Sequence, residues 1–279
     1  MPSVVIPAHN EEAGIERTLR GVLADAVPDL EIVVVVNATT DRTAEIARGL
    51  DPRIIVIETS TPGKTNALNL GERKATTFPR VFLDADITLG PGTLTAIIEA
   101  TSESHPIVSP RPVYDMTGCS VAMRLYMQAE GYNHYYGRGA PNGSGCFSLS
   151  EDGRGRWGDF PELIADDGFV QNQFQPEESM TVSDSAATVL PPRDIPSMIT
   201  VRARVRRGRF ELGNRFPEIM GKHESEVGGV LTRMLLRPWT WPALSIYCWV
   251  RVRERQLARR QLAQGETGWG RDETARSAD

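Results

Sequence analysis

Four short runs of apolar, mostly β-branched residues recur in the first hundred positions: SVVI at 3–6, IVVVV at 32–36, IIVI at 54–57 and VFL at 81–83. Each is short for a helix, and none alternates as a half-exposed strand would. Helical-looking segments separate them, at 12–25, 41–50 and 64–77. Strand–helix alternation with continuous apolar strands predicts a parallel sheet covered on both faces. Thr40 or Asp41 can cap the second helix, and Pro91 suits the first turn of a helix that starts after Asp86.

Sheets of this kind bind ligands beyond the carboxyl ends of their strands. The residues after each run are polar: PAHNEE at 7–12, NATTDRT at 37–43, TPGKTNALN at 61–69, and the pair Asp84 and Asp86. If the fourth strand continues through the acids, residues i and i+2 share a face. Two carboxylates that close repel unless a proton, a cation or solvent intervenes. Taken alone the pair is either a solvated turn or a divalent-cation site. Together the four ends offer acceptors, an amine and paired carboxylates, a set that suits a nucleotide with its diphosphate and metal. Lys64 precedes a helix whose N-terminal dipole and N–H groups also favour phosphate. Neither GxxxxGK[ST] nor GxGxxG occurs.

The second half changes character. Residues 118–136 look helical, with aromatic residues at the end, and a glycine-rich stretch follows at 137–160. Within it Gly143, Ser144 and Gly145 precede a short strand at 146–149, where glycine allows a close ligand approach or simply a turn. Asp166 and Asp167 are adjacent acids at a helix start, a position that caps commonly fill. A strand is expected at 186–191 and a helix at 195–210, on which Arg204 and Arg207 share a face.

The 279 residues are 40% hydrophobic and 24% charged, ordinary globular values that allow one large α/β domain with an appendage. A net charge of -5 argues against a nucleic-acid partner. The arginines are clustered, five in 201–210 and five in 251–260. Such patches suit phosphate or an anionic membrane, and the second also reads as a solvated helix face. Three cysteines without CxxC fit a reducing compartment. The absence of a basic segment followed by a long apolar one indicates no signal peptide. The expected location is cytoplasmic. Residues 238–250 are uncharged and hold Trp239, Trp241 and Trp249. They are too few to span a bilayer, which takes roughly 20. They form either an interfacial helix, with peripheral membrane contact through 238–260 at the inner face of the cell membrane, or a final helix packed on the core.

In this order the pieces resemble the family 2 glycosyltransferases with the GT-A fold. The resemblance rests on VVIPAHNEE at 4–12, GKTNALN at 63–69, LDADI at 83–87, the Gly-rich strand at 143–149, ADD at 165–167 and the arginines at 204–207. It implies a Rossmann-like, mostly parallel sheet flanked by helices. Residues 1–115 would be the nucleotide-sugar-binding half and 116–225 the acceptor-binding, catalytic half of one GT-A domain. A helical extension would follow at 226–264 and a disordered tail at 265–279. The resemblance also implies roles. Pro7, Ala8 and Glu11 would line the nucleoside pocket, with Asn10 supporting the loop and Asn37 facing the base. Lys64 and Asn66 would lie near the base or diphosphate. Asp84 would contact the ribose side and the metal, and Asp86 would hold Mg²⁺ or Mn²⁺ on the diphosphate. Asp167 would be the general base, beside Asp166, and Arg204 and Arg207 would face the leaving diphosphate. Gly143, Ser144 and Gly145 would meet the acceptor.

The activity implied is inverting transfer of one sugar from a nucleotide-sugar, a UDP-sugar ahead of a GDP-sugar, to a glycan, lipid-linked or small-molecule acceptor. Two departures from the family pattern matter. Asn37 stands where an acid usually pairs with the base N–H. Arg204-x-x-Arg207-Gly208 replaces the Gln-x-x-Arg-Trp of processive members, which favours single-sugar transfer. The alternatives are a non-catalytic nucleotide-sugar-binding or membrane-docking protein, or a nucleotidyltransferase. The last would carry a Gly-rich basic loop after the first strand, where this chain has PAHNEE.

Overall fold

In a computed structural model, which describes residues 1–132, 144–220 and 227–264, the chain divides into two compact units. Gly143 and the 265–279 tail lie outside the described residues, as do positions 133–136 of the expected aromatic helix end.

The first unit comprises residues 1–113, 137–162 and 173–189. The four apolar runs become β1 (Ser3–Ala8), β2 (Glu31–Asn37), β3 (Ile54–Thr59) and β4 (Arg80–Leu83). Among the described residues they join β5 (Thr88–Leu89), β6 (Ile107–Tyr114), β7 (Cys146–Leu149) and β8 (Ser179–Val189) in one sheet, ordered β3-β2-β1-β4-β7-β6-β8-β5. The β3-β2-β1-β4 half is parallel, as the sequence predicts. Beyond β4 the ladder turns antiparallel, because β7 runs against both β4 and β6.

Both faces of the parallel half are covered. Val4, Ile6, Ile32, Val34, Val81 and Leu83 pack with α1 (Ile15–Ala24), α2 (Thr43–Leu50) and α4 (Thr93–Ala100). On the other face α3 (Lys64–Lys74) lies so close that a Cβ on Gly71 would overlap the Val5 side chain. Alternate side chains of one strand thus enter two cores, which is why these strands read as unbroken apolar runs. Glu72 of α3 is buried between Arg80 of β4 and Arg154 of α6 (Glu151–Arg154), and this pairing fixes the segment after β7.

The α4 start departs from the sequence expectation. The short strand β5 intervenes after Asp86, and Pro91 lies outside the helix, before a left-handed Gly92 N-cap. The pairing of β5 with β8 supplies backbone hydrogen bonds that favour extended structure there.

The second unit comprises residues 114–136, 163–172 and 190–279. Its described helices are α5 (Val121–Glu130), α7 (Asp166–Gln171), α8 (Ile195–Arg215), α9 (Val227–Leu235) and α10 (Trp241–Ala263). Met123, Tyr126, Met198, Met234, Leu244 and Tyr247 share its core.

Candidate active site

The register places the carboxyl ends of β1, β2 and β3 together: Ala8 is opposite Val36, and Asn37 is opposite Thr59. The loops that leave these ends are tied to one another. Asn10, in a left-handed conformation at φ 51°, accepts the Thr40 N–H on its Oδ1 at 2.9 Å. The Glu11 N–H donates to Thr43 Oγ1 at 2.8 Å, and the Glu12 N–H donates to Asp41 Oδ2 at 3.0 Å. Asp41 Oδ1 also accepts the Thr43 N–H at 3.0 Å, so it serves the start of α2 from one residue before the Arg42 N-cap. Thr40 does not cap α2, because the helix starts at Thr43 after the Arg42 N-cap and the Thr40 hydroxyl lies against Asn10 instead.

Burial tends to raise the Asp41 pKa, but hydrogen bonds from Thr43 and Glu12 outweigh it and hold the carboxyl below the ordinary 3.8. A depressed folded-state pKa gives stability that is complete above the unfolded value and is lost as pH falls through the folded one. Asp41→Asn, which loses the charge, is therefore expected to cost about 1 kcal/mol at neutral pH. It should also flatten the stability decline below about pH 4. Urea unfolding of both proteins across that range is the check; parallel acid limbs would mean that Asp41 is not a contributor.

Asn37 is buried, and both its amide functions are engaged: Nδ2 donates to the Ala8 carbonyl at 2.8 Å, and Oδ1 accepts the Gly63 N–H at 3.2 Å. It joins the ends of β1 and β2 to the entry of α3. Beside it opens a cleft of about 460 Å³ lined by Ala38, Thr39, Thr40, Glu58, Thr59 and Ser60. Pro7 and Ala8 are buried in β1, and Glu11 is buried at the turn into α1.

Lys64 is the first residue of α3, the unfavourable end of the helix dipole for a cation. The Asp84 carboxylate compensates, with its Oδ1 2.7 Å from Lys64 Nζ. Asn66 Nδ2 donates to the Thr61 carbonyl at 3.2 Å, which shapes the loop into the same helix.

The acids after β4 correct the sequence expectation that they share one strand face. β4 stops at Leu83, and residues 85–86 form a turn closed by the Ile87 N–H on the Asp84 carbonyl at 3.1 Å. Thr18 of α1 holds that turn by donating to the Ala85 carbonyl at 2.8 Å. Asp84 is half-buried and Asp86 exposed. Gly145, at φ 60°, accepts the Asp84 N–H on its carbonyl at 2.8 Å, and a Cβ there would press on Ile87 at 2.6 Å. Ser144 is buried, with its hydroxyl on the Cys146 carbonyl at 2.7 Å. Burial, and then the Asp84 charge, push the Cys146 thiol pKa far up, so it stays neutral. Among the described residues no three His, Cys, Asp or Glu side chains gather as a metal site. Carboxylate oxygens, the donor type of Asp84 and Asp86, are what a hard cation accepts beside phosphate and water.

In the second unit Asp166 and Asp167 form the first turn of α7 after Ala165. Asp166 is buried, whereas Asp167 is partly exposed and accepts the Gly168 N–H on Oδ1 at 2.7 Å. α8 fixes this segment. A Cβ on Gly208 would lie 3.0 Å from the Ala165 nitrogen, and Glu211 accepts the Ile164 N–H at 3.2 Å. A tryptophan has no room at position 208. Arg207, one residue earlier, is buried, and Arg204 is partly exposed on the preceding turn. The sequence reading placed Asp41 at the start of α2 but missed its hold on the Glu12 N–H and the Glu58–Ser60 side of the cleft. The polar NATT and ETST strand ends were the available signal.

A sequence profile described as glycosyl transferase family 2 matches residues 3–150. A 4,4'-diaponeurosporenoate glycosyltransferase of Staphylococcus aureus (strain USA300) is 26% identical over 156 residues, which cover 54% of this chain and 40% of that protein. The chain therefore spans less than half the length of the curated relatives it matches. Among solved structures, the mannosyltransferase PcManGT from Pyrobaculum calidifontis, in complex with GDP-Man and Mn²⁺, superposes with a TM-score of 0.62 at 20% identity, over 95% of this chain and 76% of that one. Residues 1–349 of S. aureus TarS with UDP-GlcNAc give 0.54 at 17% identity, over 95% and 92%. These likenesses show the GT-A fold.

Proposed function

The chain belongs to glycosyl transferase family 2, and from that we propose that it moves one sugar from a nucleoside-diphosphate sugar to an acceptor hydroxyl, with inversion at the anomeric carbon. The observation that carries this reading is the convergence, at one edge of the parallel half-sheet, of a polar cleft, the Lys64–Asp84 pair and the Asp86 turn.

The base of the donor would enter the cleft beside Thr39 and Thr59, where hydroxyls can both donate and accept. Pro7, Ala8, Asn10 and Glu11 would form its floor and rim, with Asn37 holding the loops from beneath. Lys64 would turn towards the diphosphate, and Asn66 would keep its loop in shape. Asp84 would meet the ribose side. Mg²⁺ or Mn²⁺, held by Asp86 with Asp84, would offset charge on the leaving diphosphate. Arg204 and Arg207 would supply positive charge for the same purpose. Ser144 and Gly145 would border the acceptor.

Asp167 is assigned as general base, taking the acceptor hydroxyl's proton as that oxygen attacks the anomeric carbon. Its exposure favours it over the buried Asp166, which would support it. A single displacement inverts the configuration, so an α-linked donor gives a β-linked product. The relatives and neighbours name GDP-Man, UDP-GlcNAc and 4,4'-diaponeurosporenoate, and a UDP-sugar with a lipid-linked, glycan or small-molecule acceptor is our reading. Gly208 in place of tryptophan supports single rather than processive transfer.

The test is thermal unfolding with UDP, GDP, CMP and dTDP, each with and without Mn²⁺. A nucleotide at a hundred times its dissociation constant adds about 2.7 kcal/mol to the folded state. One nucleoside diphosphate is expected to stabilise the protein more with Mn²⁺ than without. In Asp86→Ala that metal-dependent part should vanish. If no nucleotide raises the melting temperature, the donor reading fails; an undiminished Mn²⁺ effect in the variant would remove Asp86 from the metal.

A further inference from the structure

The C-terminal helices leave a large apolar corner in water. From the end of α9 to the first residue of α10, Leu235, Leu236, Trp239 and Trp241 are 58, 80, 73 and 53% exposed. Further along α10, Trp249 and Val252 are 51 and 50% exposed. At roughly 100° per residue, Trp241, Ser245, Trp249 and Val252 fall within about a quarter of the helix circumference. The opposite stripe, Ala243, Tyr247, Val250, Glu254 and Ala258, is buried.

The same outer face becomes cationic towards its C-terminal end. Arg253, Arg255, Arg259 and Arg260 are all exposed. Among the described residues none of the four has a carboxylate partner. The helix's only acid, Glu254, faces inward at 1% exposure. A chain of net charge -5 therefore presents here a surface with tryptophans at one end and uncompensated arginines at the other. Tryptophan favours the boundary between headgroups and acyl chains, and arginine binds phosphate through several donors. No described helix is long and apolar enough to cross a membrane, and a face of this composition suits binding along a surface.

We propose that the α9–α10 corner and the outer face of α10 dock the protein on an anionic lipid bilayer, with the leucines and tryptophans at the headgroup–acyl boundary and the arginines on lipid phosphates. Charge complementarity decides for a lipid surface over a second copy of the chain, since lipid phosphates can pair with the four arginines and a second copy of this face has, among the described residues, no exposed acid to offer them.

The full chain would be sedimented with vesicles of mixed phosphatidylglycerol and phosphatidylcholine, and with phosphatidylcholine alone. Binding to the mixed vesicles is expected, with a blue shift in tryptophan emission, since Trp239, Trp241 and Trp249 are three of the five tryptophans. A Leu236→Ser/Trp239→Ser/Trp241→Ser variant should partition at least about tenfold less. An Arg253→Gln/Arg255→Gln/Arg259→Gln/Arg260→Gln variant should lose the preference for anionic lipid and its salt sensitivity. Unchanged melting temperatures and nucleotide-induced stabilisation would show that both variants fold and keep the donor site. Three results overturn the proposal: equal binding of wild type and the serine variant, no preference for phosphatidylglycerol, or no vesicle binding together with dimers that the serine substitutions dissociate.

Discussion

Asp167→Asn is expected to lower turnover about a thousandfold, inside the range usual for loss of a general base. The amide has the size of the carboxylate and can still accept the Gly168 N–H, made at 2.7 Å by Oδ1. What it lacks is a lone pair basic enough to take a proton. Asp167 Oδ2 has no hydrogen-bond partner among the described residues, so the substitution breaks no further contact. Stabilisation by nucleotide with Mn²⁺ should therefore match the wild type while transfer to the acceptor is lost. The ratio of initial rates under saturating donor decides it. Turnover within about threefold of wild type would take the base role from Asp167, because that loss is far below the effect of a missing proton acceptor.

The second large effect is on stability. Glu254→Ala is expected to cost about 3 kcal/mol, the lower end of the range for removing one partner of a buried charge pair. Glu254 Oε1 meets Arg206 at 2.7 Å and Arg251 at 3.2 Å, and Oε2 meets Arg202 at 3.1 Å. Arg202 also reaches Glu130 at 3.3 Å, and Glu130 in turn accepts from the Tyr126 hydroxyl. Alanine would leave Arg206 and Arg251 without the carboxylate they share, and Arg202 with Glu130. Arg206 is about one-third exposed, and water there screens part of the loss. The measurement is the urea midpoint at neutral pH. Adding Arg202→Met to Glu254→Ala should recover part of the loss, because it removes a charge that the first change left poorly paired. A midpoint equal to wild type for Glu254→Ala would show that solvent already carries these arginines.

These arginines also show where a sequence stops being legible. Five in ten residues read as one basic patch, yet Arg202 and Arg206 turn onto Glu254, an acid some fifty positions away. No local pattern announces such a pairing. In the 251–260 cluster Arg251 turns inward in the same way, while the four others lie on the solvated face that the sequence allowed. The parallel strands were legible because burial on both faces writes itself as continuous Val and Ile, and their polar ends marked one edge of the sheet. β6 was not anticipated: Pro110 and Pro112 interrupt its pattern, and its place in the sheet comes from pairing with β7 near its start. The Asp84–Asp86 geometry was misread for a related reason. A strand was extended through residues that a tertiary hydrogen bond, Thr18 to the Ala85 carbonyl, bends into a turn. Gly208 looked like a lost motif residue in the sequence, and the close approach of Ala165 gives it a positive role.

The interlocked loops at the ends of β1, β2 and β3 have a consequence for how a ligand would be received. Asn10 is bonded to Thr40, Glu11 to Thr43, Glu12 to Asp41, and Asn37 to Ala8 and Gly63, all within the protein. The chain entropy of ordering that rim is therefore lost when the protein folds rather than when a small molecule arrives. Contacts made on arrival are not offset by loop immobilisation, so they count more fully towards affinity. A rim of this kind discriminates by shape and hydrogen-bond match, and nucleotides that differ by one donor or acceptor should separate by dissociation rate more than by rate of capture.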